Sequence, residues 1–245
     1  MIKKRLTESE KLHIKKLVGL GLSLNHMVRL TGKSKTTIYH HFRKIRGRTQ
    51  LPIRINPRNS QLVGEFIGVF AGDGCFYKMP DKKHRVSLHF NRSEKKYVDE
   101  FKQQVLKKIF GKIPSEYYQT NRYNLYYYSK PIYHFIIGFL HWDEKSRKTY
   151  SVHLIRRNYP RTFKIGFLRG MLDSDGHLSS KKISFATVSP ELAQDITSFL
   201  ENLDIPCKLS SYEDKRANRK RIYHITIPTQ SFFKFLNTVN PRNKT

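Results

Sequence analysis

Two stretches of this chain end in the same way. Phe66-Ile67-Gly68-Val69-Phe70-Ala71-Gly72-Asp73-Gly74 and Leu168-Arg169-Gly170-Met171-Leu172-Asp173-Ser174-Asp175-Gly176 both read as apolar helices that stop on Asp-Gly. Residues without bulk recur four positions apart in each, as Gly64, Gly68 and Gly72 and as Gly166, Gly170 and Ser174, so they line one stripe of a helix. Two such stripes allow two backbones to touch. Helices crossed along them bring Asp73 and Asp175 side by side where both end, and a helix C-terminus disfavours negative charge. Two carboxylates placed there call for a cation between them.

Other readings of the same residues are weaker. Gly-xxx-Gly in an apolar stretch also marks membrane helix pairs, but no run approaches the roughly 18 apolar residues that a span needs. Ile132 to Trp142 is interrupted by His134 and reads as a core helix, so no membrane partner is expected. A single Asp-Gly is a common turn; two copies with matching small residues point to a site. An EF-hand is excluded because Asp173-Ser174-Asp175-Gly176 lacks the third acid and the later Glu. No Cys-x-x-Cys supports a zinc site.

The pair of motifs closely resembles that of the LAGLIDADG homing endonucleases. The motif's third-position Gly falls on Gly68 and Gly170, its small seventh residue on Gly72 and Ser174, and its metal-binding acid on Asp73 and Asp175. The second copy has the usual sixth-position acid, Asp173, whereas the first has Ala71, which removes a helix-end hydrogen bond but not the metal ligand. Two motifs in one chain imply a pseudosymmetric monomer. The resemblance further implies that Asp73 and Asp175 hold Mg²⁺, with Mn²⁺ able to substitute, and that the backbone carbonyls of Gly72 and Ser174 complete the ligand set. Family members carry a basic or amide residue at the entry to each unit's last helix, here Lys130 and Gln230, which the resemblance assigns to ordering water and phosphate. Gly64, Gly68, Gly166 and Gly170 are then the helix-packing residues.

Charge points the same way independently. Lys and Arg number 47 against 19 Asp and Glu, a formal net charge of +28, which exceeds what solubility needs and marks a partner that is a polyanion. The basic residues are spread through a chain of 38% hydrophobic content, as in a folded nucleic-acid binder rather than a basic tail. A length of 245 residues suits two domains. Cys75 and Cys207 show no paired spacing, so reduced thiols and an intracellular protein are expected, cytoplasmic or nucleoid-associated, or else organellar. Charged residues from Lys3 to Lys11 interrupt any secretory segment, and no splice-junction residues suggest an intein.

Residues 1–46 read as a unit of their own. Thr7 followed by Glu10 is a capping-box pattern, and Leu12, Ile14, Leu17 and Val18 continue it into a helix ending at Gly19 or Gly21. A second helix carries Leu24, Met27 and Val28 inward, Gly32 makes a turn, and Ser34 caps a third helix bearing Ile38, Phe42 and Ile45, with Ile38 and Phe42 as core positions. This resembles the helix-turn-helix of resolvases and transposases, apart from Lys33, where an apolar residue is commoner. Lys35, Thr36, Thr37, Tyr39, His40 and Arg43 would face a DNA groove. Residues 47–59 form a basic linker in which Gly47, Pro52 and Pro57 break periodicity and Arg46, Arg48, Arg54 and Arg58 meet no acid. A minor-groove arm and a solvated tether both fit that stretch.

From residue 60 onward the chain reads as a duplication, since Asp175 follows Asp73 by 102 positions and matching elements follow each. The first repeat is assigned to 60–140, with strands around Arg85–Phe90, a helix from Glu94 to Phe110, and a short helix from Lys130 to Leu140. An inter-repeat linker takes 141–163, and the second repeat 164–245 has a strand at Lys182–Thr187 and helices at Pro190–Leu203 and Gln230–Val239. The expected fold class is α+β: a pseudosymmetric, duplicated αββαββα core with two saddle-shaped antiparallel sheets, preceded by a small all-α helix-turn-helix domain. Alternation in the strands gives each sheet an apolar face towards helices and a polar face. Arg85, Ser87, His89, Asn91, Arg122, Asn124, Lys181, Lys208 and His224 are the candidate DNA-binding residues of those polar faces.

The resulting expectation is a site-specific, double-strand DNA homing endonuclease, of the intron-encoded kind, that uses a divalent metal at two aspartates. Setting two carboxylates beside phosphates costs roughly 1–4 kcal/mol per pair, which a divalent ion removes. Hard oxygen ligands, few of them from protein, suit Mg²⁺. The alternatives are a non-cleaving DNA-binding regulator and an intron RNA maturase on the same scaffold.

Overall fold

The computed structural model describes residues 6–46, 53–78, 84–143, 145–156, 158–179, 181–213 and 220–243. Arg48, the Gly47 and Pro52 breaks, the loop before His84 and the charged loop after Tyr212 lie outside the described residues. The chain divides into two compact units, Met1–Pro52 and Ile53–Thr245.

The first unit is three helices, α1 (Glu8–Gly19), α2 (Leu24–Thr31) and α3 (Lys35–Arg46). Thr7 and Glu10 form the expected capping box, each side chain accepting from the other's backbone N–H. Gly32 ends α2 at φ 63°, a left-handed conformation suited to glycine. Ile14, Leu17, Val18, Met27, Ile38 and Phe42 form the core. Ile45 is 42% exposed, since a unit this small leaves its last helical turn uncovered.

The second unit opens on residues expected to be linker. Ile53 and Ile55 pack against its core, and the Asn56 N–H donates to the Ile109 carbonyl, so the basic stretch ends as part of the folded unit. The elements then run α4 (Ser60–Asp73), β1 (Gly74–Lys78), β2 (His84–Asn91), α5 (Lys95–Phe101), α6 (Lys107–Phe110), β3 (Ser115–Gln119), β4 (Arg122–Tyr128) and α7 (Lys130–Ile137). A π-helical turn at Lys102–Leu106 joins α5 to α6, making one continuous run where a single helix was expected.

The expected inter-repeat linker is partly structured. It holds β5 (Leu140–His141), α8 (Lys148–Ser151) and β6 (His153–Leu154), and β5 pairs with β6. Leu140 is thus a strand residue and not the end of α7. The second repeat follows as α9 (Arg161–Asp175), β7 (His177–Ser179), β8 (Lys182–Thr187), α10 (Pro190–Glu201), β9 (Lys208–Tyr212), β10 (Ile222–Ile227) and α11 (Phe232–Val239). Helix α9 begins three residues before the expected boundary at 164.

Both repeats build a four-stranded antiparallel sheet with the same connectivity, β1-β2-β4-β3 and β7-β8-β10-β9. Phe66, Phe70, Phe101 and Phe110 on one side and Phe163, Phe167, Phe185 and Phe235 on the other are the bulk of one shared core. The apolar faces of both sheets close onto α4 and α9, and this positions the site.

Candidate active site at the paired helix ends

Helices α4 and α9 touch backbone to backbone. A Cβ added at Gly64 would sit 2.2 Å from the Phe163 carbonyl oxygen, and one at Gly68 2.3 Å from that of Phe167. The second helix is packed as tightly: a Cβ at Gly166 would lie 1.9 Å from the Gln61 oxygen, and at Gly170 2.2 Å from that of Glu65. Only glycine fits such an approach. Ser60 and Thr162, 102 positions apart, share a hydroxyl hydrogen bond across the interface, so equivalent residues of the repeats face each other.

Beneath the crossing lies a buried ionic core. The Glu65 side chain is fully buried and accepts from Arg169 Nη1 at 3.1 Å and from Arg242 Nε at 2.7 Å, while Arg242 Nη1 reaches Glu100 at 2.9 Å. Arg169 Nε also donates to the Val239 carbonyl at 2.8 Å. Removing one member of such a set leaves an uncompensated buried charge.

At the crossing's end the two acids come together. A Cβ on Gly72 would be 2.8 Å from Asp175 Oδ2 and 2.5 Å from Ser174 Oγ. Asp73 lines a cavity of about 780 Å³ with Cys75, His89, Asn91, Arg122 and Lys148 among its walls. Asp175 lines a second one of about 270 Å³ with Gly72, Thr149 and Ile222.

Lys148, which no sequence motif marks, closes the end of α4. Its Nζ donates to the carbonyls of Phe70 at 2.7 Å, Ala71 at 2.6 Å and Gly72 at 3.1 Å. Burial pushes its ammonium down to about 8, with Asp175 and Asp73 acting in the opposite direction. The other helix end is closed differently. The Asp173 carboxylate accepts from the backbone N–H groups of Arg242 and Asn243, and Asn243 Nδ2 donates to the Asp173 carbonyl at 3.0 Å. Burial raises the Asp173 carboxyl to about 6, and those amide donors oppose the rise.

The donor set suits a hard cation. Two carboxylates and the Gly72 and Ser174 backbone carbonyls at two helix C-termini are all oxygen, and a protein ammonium is drawn to the same place. The Ser174 hydroxyl is turned back onto its own helix, donating to Gly170 O at 2.9 Å. Among the described residues no three His, Cys, Asp or Glu side chains converge on a metal position, so any ion here would keep much of its water.

The remaining candidates divide by position. β4 starts at Arg122 beside the Asp73 cavity and runs away from it, about 20 Å over six steps of strand to Tyr128. Lys130 follows that far end. β10 likewise starts at Ile222 in the Asp175 cavity and leads away to Gln230. Lys130 and Gln230 therefore stand at the wrong ends of their strands to order water at the acids; this corrects the expectation, and Lys148 is the ammonium that the structure brings near both acids.

Ser87 and Asn124 are corrected too, because both are fully buried. They sit on the two central strands, where Asn124 bonds His89 Nδ1 at 2.5 Å and larger neighbours cover them. Arg85 lies among Tyr77, Tyr117 and Tyr126, its guanidinium carbon 5.5, 5.1 and 4.7 Å from their ring centres. The Asn91 side chain caps the turn that follows β2. Arg122, Lys181 and Lys208 are exposed, and His224 is stacked on Tyr212. On α3, Lys35, Thr36, Tyr39, His40, Arg43 and Arg46 are exposed, whereas Thr37 is half-buried and hydrogen-bonded to Ser34.

Residues 162–239 match the LAGLIDADG-like domain family. The replication factor C small subunit of Methanocaldococcus jannaschii is 27% identical over 173 residues, 69% of this chain and 9% of that protein. An uncharacterized protein of the same organism is 27% identical over 168 residues, 64% of this chain and 55% of its own length. The chain thus spans a small part of the first relative and about half of the second. The homing endonuclease I-DmoI in complex with DNA and Ca is similar in fold, with TM-score 0.57 and 18% identity over 74% of this chain and 89% of that one. The homing endonuclease I-WcaI bound to its DNA recognition sequence has TM-score 0.51 and 17% identity over 93% and 92%. At these identities the likeness establishes a shared fold.

Proposed function

We propose that this chain, with its LAGLIDADG-like domain and the fold of the two-motif homing endonucleases, is a divalent-metal-dependent endonuclease that cuts both strands of a double-stranded DNA site. The observation that carries this reading is the meeting of Asp73 and Asp175 at the ends of α4 and α9, with a four-stranded sheet on either side. I-DmoI is described in complex with DNA and Ca and in complex with DNA and Mn, which supports a divalent ion for this site as well. Asp73 and Asp175, with the Gly72 and Ser174 carbonyls, would hold Mg²⁺, with Mn²⁺ as a substitute. When bound, that ion supplies polarisation of the scissile phosphate and acidification of the attacking water.

The chain's own residues do the rest. Lys148 holds the α4 end in place and sets a positive charge near both Asp175 and Asp73, where negative charge grows on phosphate oxygens. Exposed Arg122, Lys181 and Lys208 bind backbone phosphates, and the net charge of +28 draws the polyanion in. The three-helix unit adds DNA contacts in the manner of a helix-turn-helix, with α3 as the groove-reading helix. One chain carries both acids, so the active form is a monomer acting on intracellular DNA.

The test is cleavage of a randomised duplex library with Mg²⁺, comparing wild type with Asp73→Asn and Asp175→Asn. Recovery of one long motif, with cutting lost or reduced to nicking in either variant, supports the nuclease. Sequence-selective binding with no cutting under Mg²⁺ or Mn²⁺ would replace it with a regulator. Preference for folded intron RNA in competition would replace it with a maturase.

A further inference from the structure

We propose that His141 and His153 form a site for a borderline transition-metal dication, such as Zn²⁺ or Ni²⁺, separate from the paired carboxylates. The two residues are direct cross-strand partners in β5–β6, with ring centres 5.3 Å apart and planes inclined by 60°. Rings at that separation can each turn one nitrogen towards a common ion at about 2.0–2.1 Å. The His153 ring is already set for this, because its Nδ1 lies 2.9 Å from the Ser151 carbonyl oxygen. A carbonyl only accepts, so Nδ1 carries the proton and Nε2 keeps the lone pair. That is the tautomer a metal-bound imidazole needs, and a carbonyl behind the ring both orients it and raises its basicity.

His141 is exposed, so its ring is able to adjust to an ion without repacking the core. Among the described residues no third His, Cys, Asp or Glu joins such a group, so water fills the remaining positions and the site is open and exchangeable. Imidazole nitrogen selects zinc, nickel or copper over magnesium, which separates this site chemically from the all-oxygen set at Asp73 and Asp175. Its position has a mechanical consequence. The two histidines bracket the segment that brings Trp142, Arg147, Lys148 and Thr149 to the Asp73 cavity. An ion bridging them clamps the base that the β5–β6 pairing closes and so restrains Lys148 of α8 at the α4 end.

The experiment uses tag-free, full-length protein, stripped with chelator, in a Cys75→Ser/Cys207→Ser background that removes competing thiolates. Titration with Zn²⁺ alone, followed by calorimetry, is expected to show one site per chain, lost in His141→Asn and in His153→Asn and kept in Asp73→Asn. Cu²⁺ as a spectroscopic probe of the same protein with its histidines intact should show coupling to two ring nitrogens. Amide exchange over 142–152 should slow several-fold with Zn²⁺, and not in His153→Asn. Unchanged Zn²⁺ stoichiometry in both histidine variants, no uptake by the starting protein, or a copper spectrum without two nitrogens would each overturn the site.

Discussion

The ends of α4 and α9 are equivalent by sequence and are closed by unlike means. α4 has Ala71 at the position where α9 has Asp173, and its carbonyls are satisfied by the Lys148 ammonium, delivered from the segment between the repeats. At α9 the acid is present and accepts backbone N–H groups from the chain's last described residues, Arg242 and Asn243. One end receives a positive charge from outside its repeat; the other is tied down by neutral amides. Duplication therefore preserves the position of Asp73 and Asp175 but not their surroundings. The sheet faces diverge in the same way. β1–β2 pairs Tyr77 with Arg85, while β7–β8 pairs Ser179 with Lys182, so an aromatic cage in one repeat is matched by small and cationic residues in the other.

The largest effect should come from the acids themselves. Asp73→Asn and Asp175→Asn are each expected to reduce double-strand cleavage by about 10³-fold or more, several kcal/mol of transition-state stabilisation, while leaving nicked product on supercoiled plasmid. Unchanged cutting in either variant would break the assignment of that acid to the active site.

Glu65→Ala strikes what the two halves share, leaving buried Arg169 without a carboxylate and Arg242 with Glu100 alone, and should cost about 3–5 kcal/mol in urea unfolding. Lys148→Met removes the ammonium that both acids share and the closure of the α4 end, so cutting of both strands should slow by about 10²-fold, read by strand-labelled kinetics. Asn243→Ala probes the opposite end, with an expected loss of about 1 kcal/mol in stability and little change in strand preference. Smallest per contact is the phosphate binding common to both sheets. Affinity for duplex should fall with salt at a log–log slope near −0.9 per phosphate neutralised, and a flat response would remove the electrostatic groove.

Much of this architecture is legible because it rests on local chemistry. Capping residues Thr7 and Ser34 mark helix starts, and each accepts a backbone N–H in the structure. The strand that the repeated element order places at Lys182–Thr187 has those bounds. What went astray depends on distance through space. Lys130 and Gln230 sit at the proper helix entries in sequence, yet each lies a full strand away from its acid. Ser87 and Asn124 alternate correctly onto the polar face, but burial on a central strand comes from neighbours that alternation does not describe. Lys148 has no periodic or motif signal at all; only folding of the inter-repeat segment brings it to carbonyls 76 to 78 positions earlier in the chain.

By itself the sequence determined that two glycine-lined helices would pair, that their terminal acids would share one place, and that a strongly basic α+β duplication would surround them. Those conclusions follow from residue size, period and charge, which act over a few positions of chain. The tertiary structure alone decided which cation-bearing side chain reaches each helix end and which polar residues of the sheets stay exposed. It also set the two histidines of β5–β6 against each other. These depend on where loops close and which strand is central, properties that arise only when distant segments pack.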